Sequence, residues 1–126
     1  MDLLMVTADD GRGLVARVYE AAAAAGIVVS SLYVLANGVT GLVTVSAEDD
    51  GALRTALARA HLRFIPIRAV EVDVEDRPEA LAALFRRLAD AGVDLRLAVP
   101  AGVADGRRRF ALAARDHEVL ARALAD

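Results

Sequence analysis

Asp10 stands beside two glycines, Gly11 and Gly13, where a short apolar run, Leu3 to Val6, gives way to an amphipathic one opening at Leu14. That placement reads as a tight strand-to-helix turn. Glycines let a backbone come close to a ligand. The N–H groups that open a helix have no partner within it, and they receive small anions such as a carboxylate. Asp10 adds the opposite charge. A cation-seeking carboxylate next to an anion-seeking helix end suits a zwitterion, meaning a free amino acid. The arrangement recurs at Asp76-Arg77-Pro78-Glu79-Ala80-Leu81. One such turn alone reads better as a capped loop that binds nothing.

Other residue types offer less chemistry. The absence of cysteine excludes disulfides, thiolate metal sites and cysteine nucleophiles. His61 and His117 fall at a helix end and a helix start, without spacing suited to a metal. Ser30, Ser31, Thr40, Thr44 and Ser46 have no recognisable His–carboxylate pair beside them, so no nucleophile is expected. Asp9-Asp10 and Asp49-Asp50 read first as turn and cap residues. Arg107-Arg108-Arg109 has the charge to hold an anion. In an acidic chain without interleaved aromatics it reads instead as a solvated strand end. A net charge of −3 argues against a nucleic-acid partner. No catalytic residue, metal or cofactor is expected. No apolar run reaches membrane-spanning length and no secretory signal pattern opens the chain, so a cytoplasmic protein without a membrane partner is expected.

The elements that must position these turns follow from periodicity. Leu3 to Thr7 is strand-like. From Arg12 to Ala25 the apolar residues Leu14, Val15, Val18, Tyr19 and Ala22 recur at helical spacing, and Gly26 is placed to end the helix in a left-handed conformation. Ile27 to Ala36 is β-branched and apolar, Asn37-Gly38 signals a hairpin, and Thr40 to Ala47 returns. Asp49 or Asp50 caps a helix with Leu53, Leu57 and Ala60 on one face. In Phe64 to Glu75 the outward parity changes, with Ile65 and Ile67 on one phase and Val70, Val72 and Val74 on the other. One flat strand cannot hold both. A break near Arg68 to Ala69 therefore divides the chain into 1–67 and 68–126.

The second part repeats the first. Leu81, Leu84, Phe85 and Leu88 form a helical stripe expected under the sheet, Ala91-Gly92 ends it, Val93 to Val99 is a strand, Gly102 to Gly106 a hairpin, Arg107 to Ala113 the return, and Asp116 caps a last helix. A constant offset carries Val6 onto Val72, Asp10 onto Asp76, Ala16 onto Ala82 and Gly26 onto Gly92. After the hairpins an offset one residue longer carries Ala47 onto Ala114, Asp49 onto Asp116, Leu53 onto Leu120 and Leu57 onto Leu124. Such matches at both ends of the unit indicate an internal duplication. The second copy shows no fourth strand.

With both copies aligned, the chain resembles a tandem pair of ACT domains, the small ligand-sensing modules of amino-acid metabolism. The resemblance rests on the β-α-β-β-α-β order, on Asp10-Gly-Arg-Gly13-Leu14 and Asp76-Arg-Pro78-Glu79-Ala-Leu81, and on Ala25-Gly26-Ile27 and Ala91-Gly92-Val93. Arg12 stands where the family usually has Pro, and Glu79 where it usually has Gly. The resemblance implies an α+β fold of two ferredoxin-like sandwiches, each an antiparallel sheet with helices on one face. It further implies pairing through the second strands, here Ile27–Ala36 with Val93–Val99 in one continuous sheet.

An effector, by the same resemblance an amino acid, would sit between the turn of one domain and the second strand of the other. That gives Asp10, Gly11, Arg12, Gly13 and Leu14 with Asp94, Leu95 and Arg96 as the first site. Asp76, Arg77 and Pro78 with Val28 and Val29 make a weaker second one, because Glu79 brings its own carboxylate to the helix end. The function implied is a regulatory, non-catalytic module, with a homodimer and an enzyme regulated in trans as further partners. The alternative is a degenerate pair kept as an oligomerisation or interaction scaffold without a ligand.

Overall fold

The computed structural model describes residues 2–9, 11–36 and 41–125. Asp10, half of the proposed cradle, and the Asn37-Gly38 hairpin signal lie outside the described residues. The chain is α+β and divides into two compact units, Asp2–Ile67 and Arg68–Asp126. The first contains β1 (Asp2–Ala8), α1 (Leu14–Ala24), β2 (Val29–Ala36), β3 (Gly41–Ala47), α2 (Asp50–Arg59) and β4 (Phe64–Arg68). The second contains β5 (Val70–Glu75), α3 (Pro78–Asp90), β6 (Leu95–Ala104), β7 (Arg107–Ala114) and α4 (His117–Ala125). Ala69 separates β4 from β5 and is buried. It marks the point where the outward parity changes.

The strands form two sheets, ordered β2-β3-β1-β4 and β5-β7-β6, in place of the single continuous sheet expected. β2 and β6 are each the edge strand of their own sheet. The hydrophobic core is correspondingly double. Leu4, Val6, Val43 and Val45 from the first sheet meet Leu14, Val18, Leu53 and Leu57 from its helices. Leu112 meets Leu84, Leu88 and Leu120 in the second, with Phe85 and Phe110 edge-to-face at 5.3 Å. Leu84 is buried as expected, but Leu81 is only half-buried.

The duplication extends to irregularities. Both second strands slip register at the same place, between Val29 and Ser31 in β2 and between Leu95 and Leu97 in β6. A further slip between Pro100 and Gly102 occurs in β6 alone. Ala101 is thus the residue that lengthens the offset between the copies. The Gly102–Gly106 hairpin is corrected accordingly. β6 runs on through Ala104, and the turn is only Asp105-Gly106, both with positive φ (55° and 72°). The Pro100-Ala101-Gly102 stretch resembles a turn in sequence, yet an edge strand tolerates proline and glycine by bulging.

Helix ends follow local rules. Gly26 (φ 70°) and Gly92 (φ 80°) are left-handed, and each helix closes with paired bonds, Gly26 N to Ala23 O and Ile27 N to Ala22 O in the first, Gly92 N to Ala89 O and Val93 N to Leu88 O in the second. α2 ends the same way with His61 (φ 58°) in the glycine position. Asp49 caps α2 by accepting from Ala52 N at 3.0 Å, and Asp116 caps α4 by accepting from Glu118 N at 3.0 Å.

Candidate functional site

The two strand-to-helix turns are built differently. In the first unit Gly13 is the N-cap of α1, left-handed at φ 72° and ψ 3°. Leu14 N donates to Gly11 O at 3.2 Å, which closes the turn, and Arg17 N donates to Gly13 O at 2.9 Å. Among the described residues no side-chain cap is seen on α1, and no acidic residue lies in its first turn. A Cβ built on Gly13 would meet no described atom within 4 Å. Leu14 itself points into the core and is buried. Gly11 rests on the start of β3. A Cβ on Gly41 would lie 2.6 Å from the Gly11 Cα, so glycine at 41 is what allows the turn to settle there.

In the second unit Arg77 is the N-cap, in extended conformation, and Pro78 opens α3. Proline suits that position because the missing N–H would have no helical partner. The turn is occupied by its own charges. Arg77 Nε donates to Glu75 at 2.5 Å and its guanidinium lies 3.6 Å from the Glu79 carboxylate. Arg108 Nε donates to Asp76 Oδ1 at 2.8 Å, and Asp76 N donates to Gly106 O at 2.9 Å. The Asp76 carboxylate is therefore already matched to a cation, and Glu79 already sits at the positive end of the helix.

The second-strand residues are placed as follows. Asp94 precedes β6, its carboxylate accepts from Arg96 Nη2 at 2.8 Å, and its carbonyl accepts from Arg115 N. Leu95 opens β6 opposite Ala114. Val28 precedes β2 and is largely exposed, while Val29 packs against the first core. Gly11 to Leu14, Val28 and Val29 belong to the first unit, and Asp76 to Pro78 with Asp94 to Arg96 to the second.

Sequence reasoning missed the role of the arginine run. Arg107, Arg108 and Arg109 do open β7 and stay exposed or half-exposed, as a solvated strand end does, but Arg108 and Arg109 are also paired with carboxylates. β7 lies beside β5 with Asp73 opposite Arg109 and Glu75 opposite Arg107. Arg109 grips Asp73 through two bonds, Nε to Oδ1 at 2.8 Å and Nη2 to Oδ2 at 3.1 Å, and lies 3.4 Å from Glu71. The Arg109 hydrogen bond holds the Asp73 carboxyl below the usual carboxylate range, and Arg77 does the same for Glu75. The alternation Glu71, Asp73, Glu75 was the available signal. Three carboxylates on one strand face call for cations on the neighbouring strand.

Among the described residues no group of three His, Cys, Asp or Glu side chains is placed to hold a metal, and no helix is long and apolar enough to cross a membrane.

The sequence matches no family model and no curated protein. Solved structures do match. A Bacteroides thetaiotaomicron protein aligns over 98% of this chain and 85% of its own, with 18% identity and a TM-score of 0.84. The ligand-free regulatory subunit of aspartate kinase from Thermus thermophilus aligns over 98% of this chain and 89% of its own, at 20% identity and a TM-score of 0.61. Aspartokinase III of E. coli, crystallised with lysine and aspartate, aligns over 98% of this chain and 30% of its own, at 16% identity and a TM-score of 0.52. At these identities the likeness is one of fold. The chain has the ACT-like, ferredoxin-like architecture found in aspartate kinase regulatory subunits.

Proposed function

We propose that the chain is a pair of ACT-type domains, residues 1–67 and 68–126, acting as a non-catalytic regulatory module that binds an amino acid at the Asp10 turn. The observation that carries this reading is the inequality of the two turns. Among the described residues α1 opens without a side-chain cap, without a first-turn carboxylate and with no atom within 4 Å of a Cβ at Gly13, whereas α3 is filled by Glu79 and Asp76 is held by Arg108. At the position of Arg108 the first copy has Gly41, so the ion pair that holds Asp76 has no counterpart at that position. The fold likeness to regulatory subunits of aspartate kinase, and to an aspartokinase crystallised with lysine and aspartate, supports an amino acid as effector and an enzyme as the regulated partner.

Isothermal titration of the common amino acids into the intact chain tests the reading. One ligand per chain is expected, at micromolar to millimolar affinity, about −8 to −4 kcal/mol. Glu at the exposed Ala16, in the first turn of α1, should abolish binding by supplying the anion itself, and Glu79→Ala should change little. Two equal sites, or loss of binding in Glu79→Ala alone, would refute the assignment.

A second reading, an oligomerisation scaffold, is favoured by a specific feature. β2 is an edge strand with Val34 57% and Leu35 73% exposed, and Val28 just before it is 86% exposed. From Gly26 to Ala47 the sequence contains no charged residue. Edges are ordinarily guarded by charge, proline or bulges. Silence across the amino-acid set, together with a dimer in analytical ultracentrifugation that Leu35→Lys dissociates, would select this reading.

A further inference from the structure

Two rows of side chains cross the outer face of the second sheet. One runs Asp73–Arg109–Gly102 and the next Glu75–Arg107–Ala104, as the register of β5, β7 and β6 dictates. Each arginine therefore has a carboxylate on one side and a glycine or a methyl group on the other. The small residues leave a cavity of about 370 Å³, lined by Arg107, Arg109, Asp73, the bulged segment of β6 and Asp105 of the turn. A Cβ on Gly102 would touch nothing within 4 Å. The corresponding row of the first unit is Thr7–Leu42–Leu35, with a leucine in place of Arg109 and another in place of Gly102. The bulge at Ala101, present in this copy alone, lies in the same wall.

The charges around the cavity are not balanced evenly. Both Asp73 oxygens are taken by Arg109. Arg107 donates one N–H to the Asp73 main-chain carbonyl at 3.1 Å, and among the described residues it makes no ion pair within 4 Å. A guanidinium carries five N–H donors in a planar fork that matches carboxylate and phosphate oxygens. Arg107 is thus an anchored cation with donors to spare, next to a cavity of the size small ligands use. We infer that this hairpin face is a binding site for a small anion bearing a carboxylate or a phosphate, with Arg107 as its principal contact and Arg109 as the fixed second wall. The site lies wholly in the second unit and does not depend on the amino-acid site at the Asp10 turn.

Inorganic phosphate and malonate, titrated separately into the intact chain at low ionic strength and followed by amide NMR shifts, serve as probes. Saturable shifts confined to residues 101–109 are expected with at least one of them, and which one saturates at lower concentration identifies the group the site prefers. Arg107→Gln should weaken binding at least tenfold, and Arg107→Lys, which keeps the charge and loses the fork, by less. Arg86→Gln removes an exposed arginine on α3 paired with Asp90 and should leave binding unchanged. Equal weakening in Arg86→Gln and Arg107→Gln would reduce the effect to general charge and overturn the site. So would shifts centred on residues 11–16, or no saturation by either probe in the millimolar range.

Discussion

α1 and α3 end in register, at Ala24 and Asp90, but they do not begin in register. α3 starts at Pro78, two residues before the counterpart of Leu14, where α1 starts. The missing half-turn of α1 is Arg12-Gly13, and the added half-turn of α3 is Pro78 and Glu79. Proline fixes φ near the helical value, and Glu79 adds a charge that favours the helix N-terminus. The left-handed Gly13 instead holds the chain out of the helix until Leu14. At one further position the copies diverge in the same sense. Gly41 lets the first turn settle onto β3, and Arg108 in its place reaches Asp76. A few residues thus decide whether a duplicated turn is open or closed by its own side chains, while the frame around it stays the same.

The frame is the first thing to test. Leu53 and Leu120 are counterparts on α2 and α4 and both are fully buried. Alanine at either should cost about 2–5 kcal/mol, and by similar amounts in the two units. Urea unfolding of each variant checks this, and a large cost at one with none at the other would mean that only one unit has a real core. The turn comes next. Gly41→Ala places a methyl group 2.6 Å from the Gly11 Cα, an overpacking against backbone expected to cost about 1–3 kcal/mol. Arg108→Ala at the matching position removes only a partly exposed ion pair and should cost about 1 kcal/mol or less. If the two variants melt alike, the contrast between the turns is wrong.

Much of this frame was legible in sequence because local rules set it. Gly26, Gly92, Asp49 and Asp116 act within one helical turn of themselves, and the parity change at Arg68 to Ala69 is a property of consecutive residues. What was hidden depends on neighbours distant in sequence. The length of β6 turned on whether Pro100-Ala101-Gly102 bends the chain or bulges it, which is decided by pairing with β7. The partners of Arg107 to Arg109 lie on β5 and just after it at Asp76, more than thirty residues earlier, and single-strand patterns do not name a partner strand. For the candidate site, the sequence identified the turn and the place of Glu79 in the first turn of α3. It did not reveal that Asp76 is tied to Arg108, nor that Gly13 is needed for a left-handed φ as well as for space.

Smaller effects sharpen the comparison at the other helix end. Gly26 and Gly92 have open space where a Cβ would go, so alanine there meets only the left-handed backbone and should cost about 1 kcal/mol at each. Unequal costs would mean that the two caps differ in more than conformation. His61 fills the same position after α2 without glycine's freedom. His61→Gly should raise stability by about 0.5–1 kcal/mol, read as an increase in melting temperature.

The least of the expected effects separates the two sheets by pH. The second carries Asp73 under Arg109 and Glu75 beside Arg77, both with carboxyls held below their usual range. The row of the first sheet that matches Asp73–Arg109–Gly102 is Thr7–Leu42–Leu35, which has no titratable group. A carboxyl whose folded pKa is depressed contributes stability above the unfolded value, about 3.9 for Asp. That contribution is lost as pH falls from there through the folded pKa. Acidification below about pH 4 should therefore loosen β5 and β7 before β1 and β3. Both tyrosines, Tyr19 and Tyr33, lie in the first unit, so they do not report on the second, and hydrogen exchange is the suitable measurement. Protection factors at Phe110 and Leu112, corrected for intrinsic rates, should fall relative to those at Val43 and Val45. Asp73→Asn should lose that difference while remaining folded at neutral pH, because an exposed pair contributes little there. If the wild-type sheets loosen together, or the Asn variant keeps the difference, the Asp73–Arg109 contact does not distinguish the two units in acid.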